Sequence, residues 1–306
     1  MQRVIEKGLL GEPAPPAGVA IVIATHGRPE AVKRLVRRLA DQSKLPDHVF
    51  VVASEAADVA GLDEDQAWLT LHVDRAGLSL QRNDGLALAG EHFAYIVFFD
   101  DDFIPSRFWV ERMTDLFAAR PDIAGLTGMV LADGVSTAGI VPQAGEAIVE
   151  QRDSNPGTTS HVQDVIRLYG CNMAFRSAAI RGLTFDERLP LYAWFEDADF
   201  SGQVARRGRI ARADALWGVH LGLKAGRLRG VRLGYSQIAN AVYLARKGTI
   251  PIGFLANRAI SNLAINTARA PWPEPFVDRR GRLLGNMIAL ADILRGRVRP
   301  ERAADL

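Results

Sequence analysis

The chain holds one cysteine, Cys171, among 306 residues. A lone thiol excludes an internal disulfide and a cysteine-rich zinc site, and it fits a reducing compartment. Long apolar runs are missing too. Nothing reaches the roughly 20 residues that a bilayer-spanning helix needs, and the nearest approach, residues 250–263, is broken by Arg258. Residues 1–10 carry Glu6 and no extended apolar core, so they do not read as a signal peptide. Acidic residues thin out towards the end. From residue 221 onward 15 Lys and Arg face 5 Asp and Glu, about +10, so the body before it carries about −8 of the overall +2. Such a basic extension suits an anionic partner, either phosphate groups or a membrane surface, or is a set of solvated helix faces. The expectation is a cytoplasmic protein, soluble or peripheral on the inner face of the cytoplasmic membrane.

What is present is ample core material, 48% hydrophobic residues. Residues 1–18, with Pro13, Pro15 and Pro16, read as a flexible lead-in. Buried strands are expected at 19–24 and 48–53, with an amphipathic helix over 30–42 between them, which makes a right-handed βαβ unit. A third strand is expected at 68–73, and a loop from Gly77 that turns into a helix towards Ala89. Helix 106–119, opened by Pro105, precedes strand 123–131. Residues 132–161 are polar and glycine-rich with little periodicity, so they read as a long functional or mobile loop. A strand over 165–176, a short helix capped by Ser177, a helix closed by Gly208 and a strand over 209–219 follow. From Leu233 onward the pattern is helical. No internal repeat is visible.

The stretch that organises the rest is 95–103. Five apolar residues, β-branched or aromatic, read as a strand buried on both faces, and it stops in Asp100, Asp101 and Asp102. Carboxylates crowded beyond the end of a strand repel one another unless a cation neutralises them. Hard oxygen ligands suit Mg2+ or Mn2+; the alternative is an acidic capping turn. His220, delivered by a later strand, is placed to complete a metal shell with Asp102, or is an ordinary strand-end histidine. Glu196 and Asp197 open another helix, where either the macrodipole favours them or one acts as a general base. Arg28 and Arg82 fall in loops on the same sheet edge, suited to a pyrophosphate.

Taken in order, Thr25-His-Gly-Arg28, Gly77 with Arg82-Asn83-Asp84-Gly85, Phe99-Asp100-Asp101-Asp102, Gly170-Cys-Asn-Met-Ala-Phe-Arg176, Trp194-Phe-Glu196-Asp197-Ala-Asp199 and His220 resemble the inverting, metal-dependent glycosyltransferases of family 2. The resemblance covers roughly residues 19–221. It implies a GT-A fold, an α/β domain over 19–222 with a single Rossmann-like, mostly parallel sheet flanked by helices. A basic, mostly helical extension over 223–306 then follows it. It implies that Thr25, Arg28, Arg82, Asn83, Asp100 and Asp101 hold the nucleotide. Asp102, Asp100 and His220 would take the metal, Mn2+ or Mg2+. Gly170, Cys171, Asn172 and Trp194 would line the sugar and acceptor pocket, and Asp197 would be the catalytic base with Glu196 beside it. Many members grip the base with an acid directly after the second strand; here Glu55 is the candidate.

The implied donor is a nucleotide-diphosphate sugar of UDP, dTDP or GDP type. The implied acceptor is a glycan or lipid-linked hydroxyl in surface or extracellular polysaccharide synthesis, with no nucleic acid involved. Residues 224–232 suit a lid over the donor or a plain linker. The arginines of the extension suit anionic lipid or a homo-oligomer surface. A sugar-phosphate nucleotidyltransferase and a non-catalytic nucleotide-sugar-binding scaffold are the competing readings of the same fold.

Overall fold

The structure, a computed structural model, describes residues 17–63, 65–156, 161–224 and 230–306. The expected lead-in lies almost wholly outside these residues, as does the middle of the expected lid. Strand β1 (Val19–Thr25) shows why the sheet is sandwiched. Its alternate residues feed two opposite cores: Val19, Ile21 and Ile23 one, Ala20 and Val22 the other. Helix α1 (Pro29–Ala40) covers the first face with Val32, Leu35, Val36 and Leu39. Burying aliphatic side chains of this size contributes about 1.5–3 kcal/mol each before the entropy of ordering them is subtracted.

Strands β2 (His48–Ala53) and β3 (Leu69–Val73) extend the sheet on one side of β1. Helix α2 (Leu78–Ala89) covers the second face. It comes so close that a Cβ on Gly85 would stand 2.2 Å from Val22 Cγ1, so only glycine fits that contact. On the other side of β1 lies β4 (Tyr95–Asp100), and β5 (Phe103–Pro105) follows directly. Helix α3 (Trp109–Ala119), β6 (Ile123–Asp133), α4 (Pro142–Ser154), β7 (Val162–Asp164), β8 (Asn172–Arg176), α5 (Ser177–Ile180), α6 (Glu196–Val204) and β9 (Arg209–His220) complete this part.

The strand order is β3-β2-β1-β4-β8-β6-β9-β5, with β7 against β9. Six strands (β1 to β4, β6 and β9) share one direction, while β8, β5 and β7 run against their neighbours. The expected mostly parallel sheet flanked by helices is therefore what forms.

Four local expectations are corrected. Pro105 does not open a helix. It ends β5, paired with β9 from Phe103↔His220 to Pro105↔Gly218, and the helix begins at Trp109. Residues 132–161 are not one long loop, because they contain α4. Its weak periodicity hid it, since only Gly145 and Val149 are buried. Asp153 near its end fixes it by accepting from Ser106 Oγ at 2.6 Å and Trp217 Nε1 at 2.8 Å. The 165–176 segment is a strand only from Asn172; before that it runs irregularly, with Leu168 N–H on Ser201 Oγ and Tyr169 N–H on Thr127 Oγ1. Gly208 is no left-handed cap. A Cβ there would meet the Ala124 Cβ at 2.7 Å, so it serves close packing.

The extension comprises α7 (Gly230–Lys247), α8 (Ile252–Arg269) and α9 (Arg279–Leu294). Asn266 Nδ2 of α8 donates to Gln237 Oε1 of α7 at 3.0 Å and to Asn286 Oδ1 of α9 at 2.9 Å, all three residues buried. Ala198 of α6 packs with Ala241 and Leu244 of α7, which joins the extension to the helix carrying the second acidic cluster. No helix among the described residues is long and apolar enough to cross a membrane.

Candidate active site

The parallel strands β1 and β4 end together, with Ala24 opposite Asp100. The chain then turns through Asp101 and Asp102 into β5, whose antiparallel pairing puts Phe103 opposite His220. This pairing draws the acids and the imidazole together. Asp102 Oδ1 lies 3.2 Å from His220 Nε2, and Asp100 Oδ2 lies 3.9 Å from the same nitrogen. One ligand atom from each of Asp100, Asp102 and His220 falls within 4.8 Å of the other two. Two carboxylates and an imidazole are a donor set suited to Mn2+ or Mg2+. Asp102 Oδ1 is buried, with the His220 imidazole as its close neighbour.

The electrostatics show how closely the acids and the imidazole are coupled. Burial alone would raise Asp102, but His220, Arg28 and the Leu223 N–H hold its carboxyl well below the usual carboxylate range. Burial opposes the charge on His220, yet hydrogen bonds to Asp102 and Asp133 push it up to about 10. Asp133, at the end of β6 and 3.2 Å from His220 Nδ1, was not foreseen. Its signal was available, since it too is an acid at the carboxyl end of a strand.

Thr25 and Arg28 meet the acidic turn directly. The Thr25 hydroxyl donates to Asp101 Oδ2 at 2.8 Å and Arg28 Nη1 to Asp101 Oδ1 at 2.8 Å, with Asp102 Oδ2 3.4 Å from the same nitrogen. Both brace the acidic turn. Burial pushes Asp101 up to about 7 against these two partners.

Arg82 is not in a loop. It lies inside α2 and is 2% exposed. Its Nη2 donates to Asp100 Oδ1 and to the Gly170 carbonyl, both at 2.9 Å, and its Nη1 stands 2.6 Å from Glu196 Oε1. One guanidinium thus ties the end of β4 to the start of α6. The Gly170 N–H completes the link by donating to Asp197 Oδ2 at 3.1 Å. A Cβ at position 170 would come within 3.3 Å of the Asp197 Cβ, so the glycine lets the backbone approach the acids. Arg167, missed because its segment was read as plain strand, pairs with the same Asp197 oxygen.

Helix α6 is launched from a strained approach. Leu191, Ala193 and Phe195 have φ of 62°, 49° and 75°, left-handed values that cost a non-glycine residue on the order of 1 kcal/mol or more each. Asn240 Nδ2 of α7 holds the turn by donating to the Trp194 carbonyl at 2.9 Å. The result is that Glu196 and Asp197 stand buried in the first turn. Burial pushes Glu196 up to about 8, Arg82 opposing, and its Oε2 has no partner among the described residues.

The side chains of Asn172, Asn83 and Glu55 are turned to other protein neighbours or to solvent. Cys171 and Asn172 are fully buried, and the Asn172 side-chain oxygen accepts from Thr127 Oγ1 and the Gly128 N–H, locking β8 to β6. Asn83 clamps the 185–187 segment, accepting from the Phe185 N–H at 2.8 Å and donating to Glu187 Oε1 at 2.9 Å. Glu55 is exposed on the loop after β2, while the buried acid there is Asp58, which accepts from the Gly27 N–H at 2.6 Å. Trp194 is half-buried with its indole N–H lacking an acceptor.

The comparisons place the fold among known ones. S. aureus TarS 1-349 superposes with a TM-score of 0.54 at 16% identity, covering 93% of this chain and 82% of that one. The same protein in complex with UDP-GlcNAc gives 0.53 at 17% identity with the same coverage. GalNAc-T7 with UDP, GalNAc and Mn2+ gives 0.51 at 13% identity over 68% of this chain and 44% of that one. Against the longer TarS chain the match spans 36% of its length. No curated protein matches. The Glycosyl transferase family 2 profile matches residues 20–179, just over half the chain. The chain therefore belongs to glycosyl transferase family 2, on a GT-A fold.

Proposed function

We propose that the protein is an inverting, metal-dependent glycosyltransferase that moves a sugar from a nucleotide-diphosphate sugar to an acceptor hydroxyl in surface or extracellular glycan synthesis. The observation that carries this reading is Arg82, which spans Asp100 of the candidate metal set and Glu196 beside the candidate base. It holds both acidic groups together beyond the carboxyl ends of β1 and β4, the side on which α/β sheets bind ligands.

Asp100, Asp102 and His220 are the residues that would hold Mn2+ or Mg2+. A divalent cation bound there would supply charge neutralisation for the departing diphosphate. Asp197 is the base: its carboxylate takes the proton of the acceptor hydroxyl as that oxygen attacks the anomeric carbon from the face opposite the diphosphate. The C–O bond to the acceptor forms as the bond to the diphosphate breaks, which inverts the centre without a covalent enzyme intermediate. Arg167 and the Gly170 N–H fix the orientation of the Asp197 carboxylate.

Thr25 and Arg28 brace Asp101 beside the proposed nucleotide site. A thermal-shift screen of nucleoside diphosphates and their sugars, with and without manganese, tests the reading. Stabilisation by one nucleotide class only when manganese is present is expected, and no shift with any donor would overturn it. Release of nucleoside diphosphate rather than pyrophosphate separates sugar transfer from nucleotidyl transfer.

A further inference from the structure

Of the thirteen exposed large hydrophobic side chains among the described residues, seven fall between positions 252 and 294. Ile252 is 71% exposed, Ile260 67%, Trp272 81% and Leu294 89%. They are not scattered. On α9, Arg280, Leu284, Met287, Ala291 and Leu294 recur at spacings of four and three, which places them on one stripe. The opposite stripe, with Gly285, Asn286, Ala289 and Asp292, is buried. It faces α7, where Asn286 Nδ2 donates to the Gly234 carbonyl at 2.6 Å. On α8, Ile252, Ala256, Ile260 and Ala264 form an exposed four-residue ridge away from the stripe that Leu255 and Asn266 bury. Asn266 also points at α7. Both helices therefore turn one side to α7 and leave an apolar side outward. Trp272 stands in the turn between them, where Arg280 donates to the carbonyls of Ala270 and Pro271.

The charges on this outward layer have one sign. Arg258, Arg269, Arg280 and Arg295 are exposed. Helix α8 has no acidic residue, and the one acid of α9, Asp292, is buried against Tyr235, Arg297 and Arg302. Between the helices Glu274 is paired with Arg279, and Asp278 caps α9. A second copy would set arginine against arginine across this face, whereas an anionic surface meets them with opposite charge. Apolar ridges flanked by arginines, with the one exposed acid of residues 252–294, Asp278, spent on capping α9, are what a helix lying in a lipid headgroup layer needs, with tryptophan suited to that boundary.

We infer that the outer faces of α8 and α9 form an interfacial binding surface for a bilayer of anionic lipid. The site of sugar transfer plays no part in this inference. The test is co-flotation of the full chain with vesicles of phosphatidylcholine alone or mixed with phosphatidylglycerol, without any nucleotide, at low and high salt. Co-flotation is expected with the phosphatidylglycerol vesicles at low salt, weakened at high salt. The triple variant Arg258→Gln, Arg280→Gln, Arg295→Gln should lower the partition coefficient by roughly a hundredfold, about fivefold per charge. The pair Ile260→Ser, Trp272→Ser should lower it through lost apolar contact. Both variants should stay folded and keep donor hydrolysis, because the replaced side chains are exposed and away from the acidic site, the triple variant melting slightly lower through the lost Arg280 contacts to the Ala270 and Pro271 carbonyls. Absence of flotation with anionic vesicles at low salt, or equal partition of wild type and both variants, overturns the inference. So does a dimer that the Ile260→Ser, Trp272→Ser pair dissolves in place of any vesicle binding, which would assign the face to a second copy.

Discussion

Arg82 Nη1 stands 2.6 Å from Glu196 Oε1 inside a protein interior that leaves Arg82 2% exposed. The same guanidinium serves Asp100 and the Gly170 carbonyl, and it lies 5.4 Å from the Phe185 ring centroid. A buried charge with three oxygen partners cannot be deleted without stranding them. Arg82→Met should therefore cost about 3–5 kcal/mol of stability, read as a lower urea midpoint. Arg82→Lys should recover little of it, because one ammonium cannot reach both ends of the cleft as a planar fork does. A lysine variant as stable as wild type would argue against the bridging role.

The Glu196 carboxyl gives stability a pH dependence. Its ordinary value of 4.5 is pushed up to about 8, first by burial and then by Asp197 and Asp100, with Arg82 opposing. The folded state thus holds a proton that the unfolded chain loses near 4.5. The contribution is fully present below that value and is lost as pH rises through about 8. Melting temperatures of Glu196→Gln should fall less between those limits than those of wild type. Parallel curves would place the titration elsewhere.

Asp197→Asn keeps the shape of the side chain and removes its basicity. Turnover, followed as release of nucleoside diphosphate, should fall by a few powers of ten, while donor affinity stays nearly unchanged. Arg167→Gln should lower turnover less, since Gly170 still holds the same Asp197 oxygen. An Asp197→Asn enzyme with full turnover would remove it as the base.

At Gly85 the expected result is purely steric. Gly85→Ala drives a methyl to 2.2 Å from Val22 Cγ1 between α2 and β1. Overpacking of this kind costs typically 1–3 kcal/mol, and a lower melting temperature with unchanged nucleotide affinity would show it.

The sheet was legible because its strands are continuous apolar runs that both faces must cover, as in 19–24 and 95–99. The cleft was legible because Asp100, Asp102, His220, Glu196 and Asp197 all sit at element ends. What stayed hidden depends on contacts distant in sequence. Nothing near Arg82 says that it is buried in a helix rather than exposed in a loop. Nothing near Asn83 or Asn172 says that their amides are spent on the 185–187 segment and on Thr127. Helix α4 escaped because it buries only two residues and is anchored through Asp153 by polar contacts, which leave little hydrophobic period.

The most direct measurement is calorimetric titration of nucleoside diphosphates into wild type and Asp102→Ala, with and without manganese. Asp102 supplies a buried carboxylate beside His220 and Asp100. The account predicts manganese-dependent binding of one nucleoside diphosphate to wild type, at least tenfold weaker or lost in the variant. Equal affinity for both proteins, or binding indifferent to manganese, would contradict it.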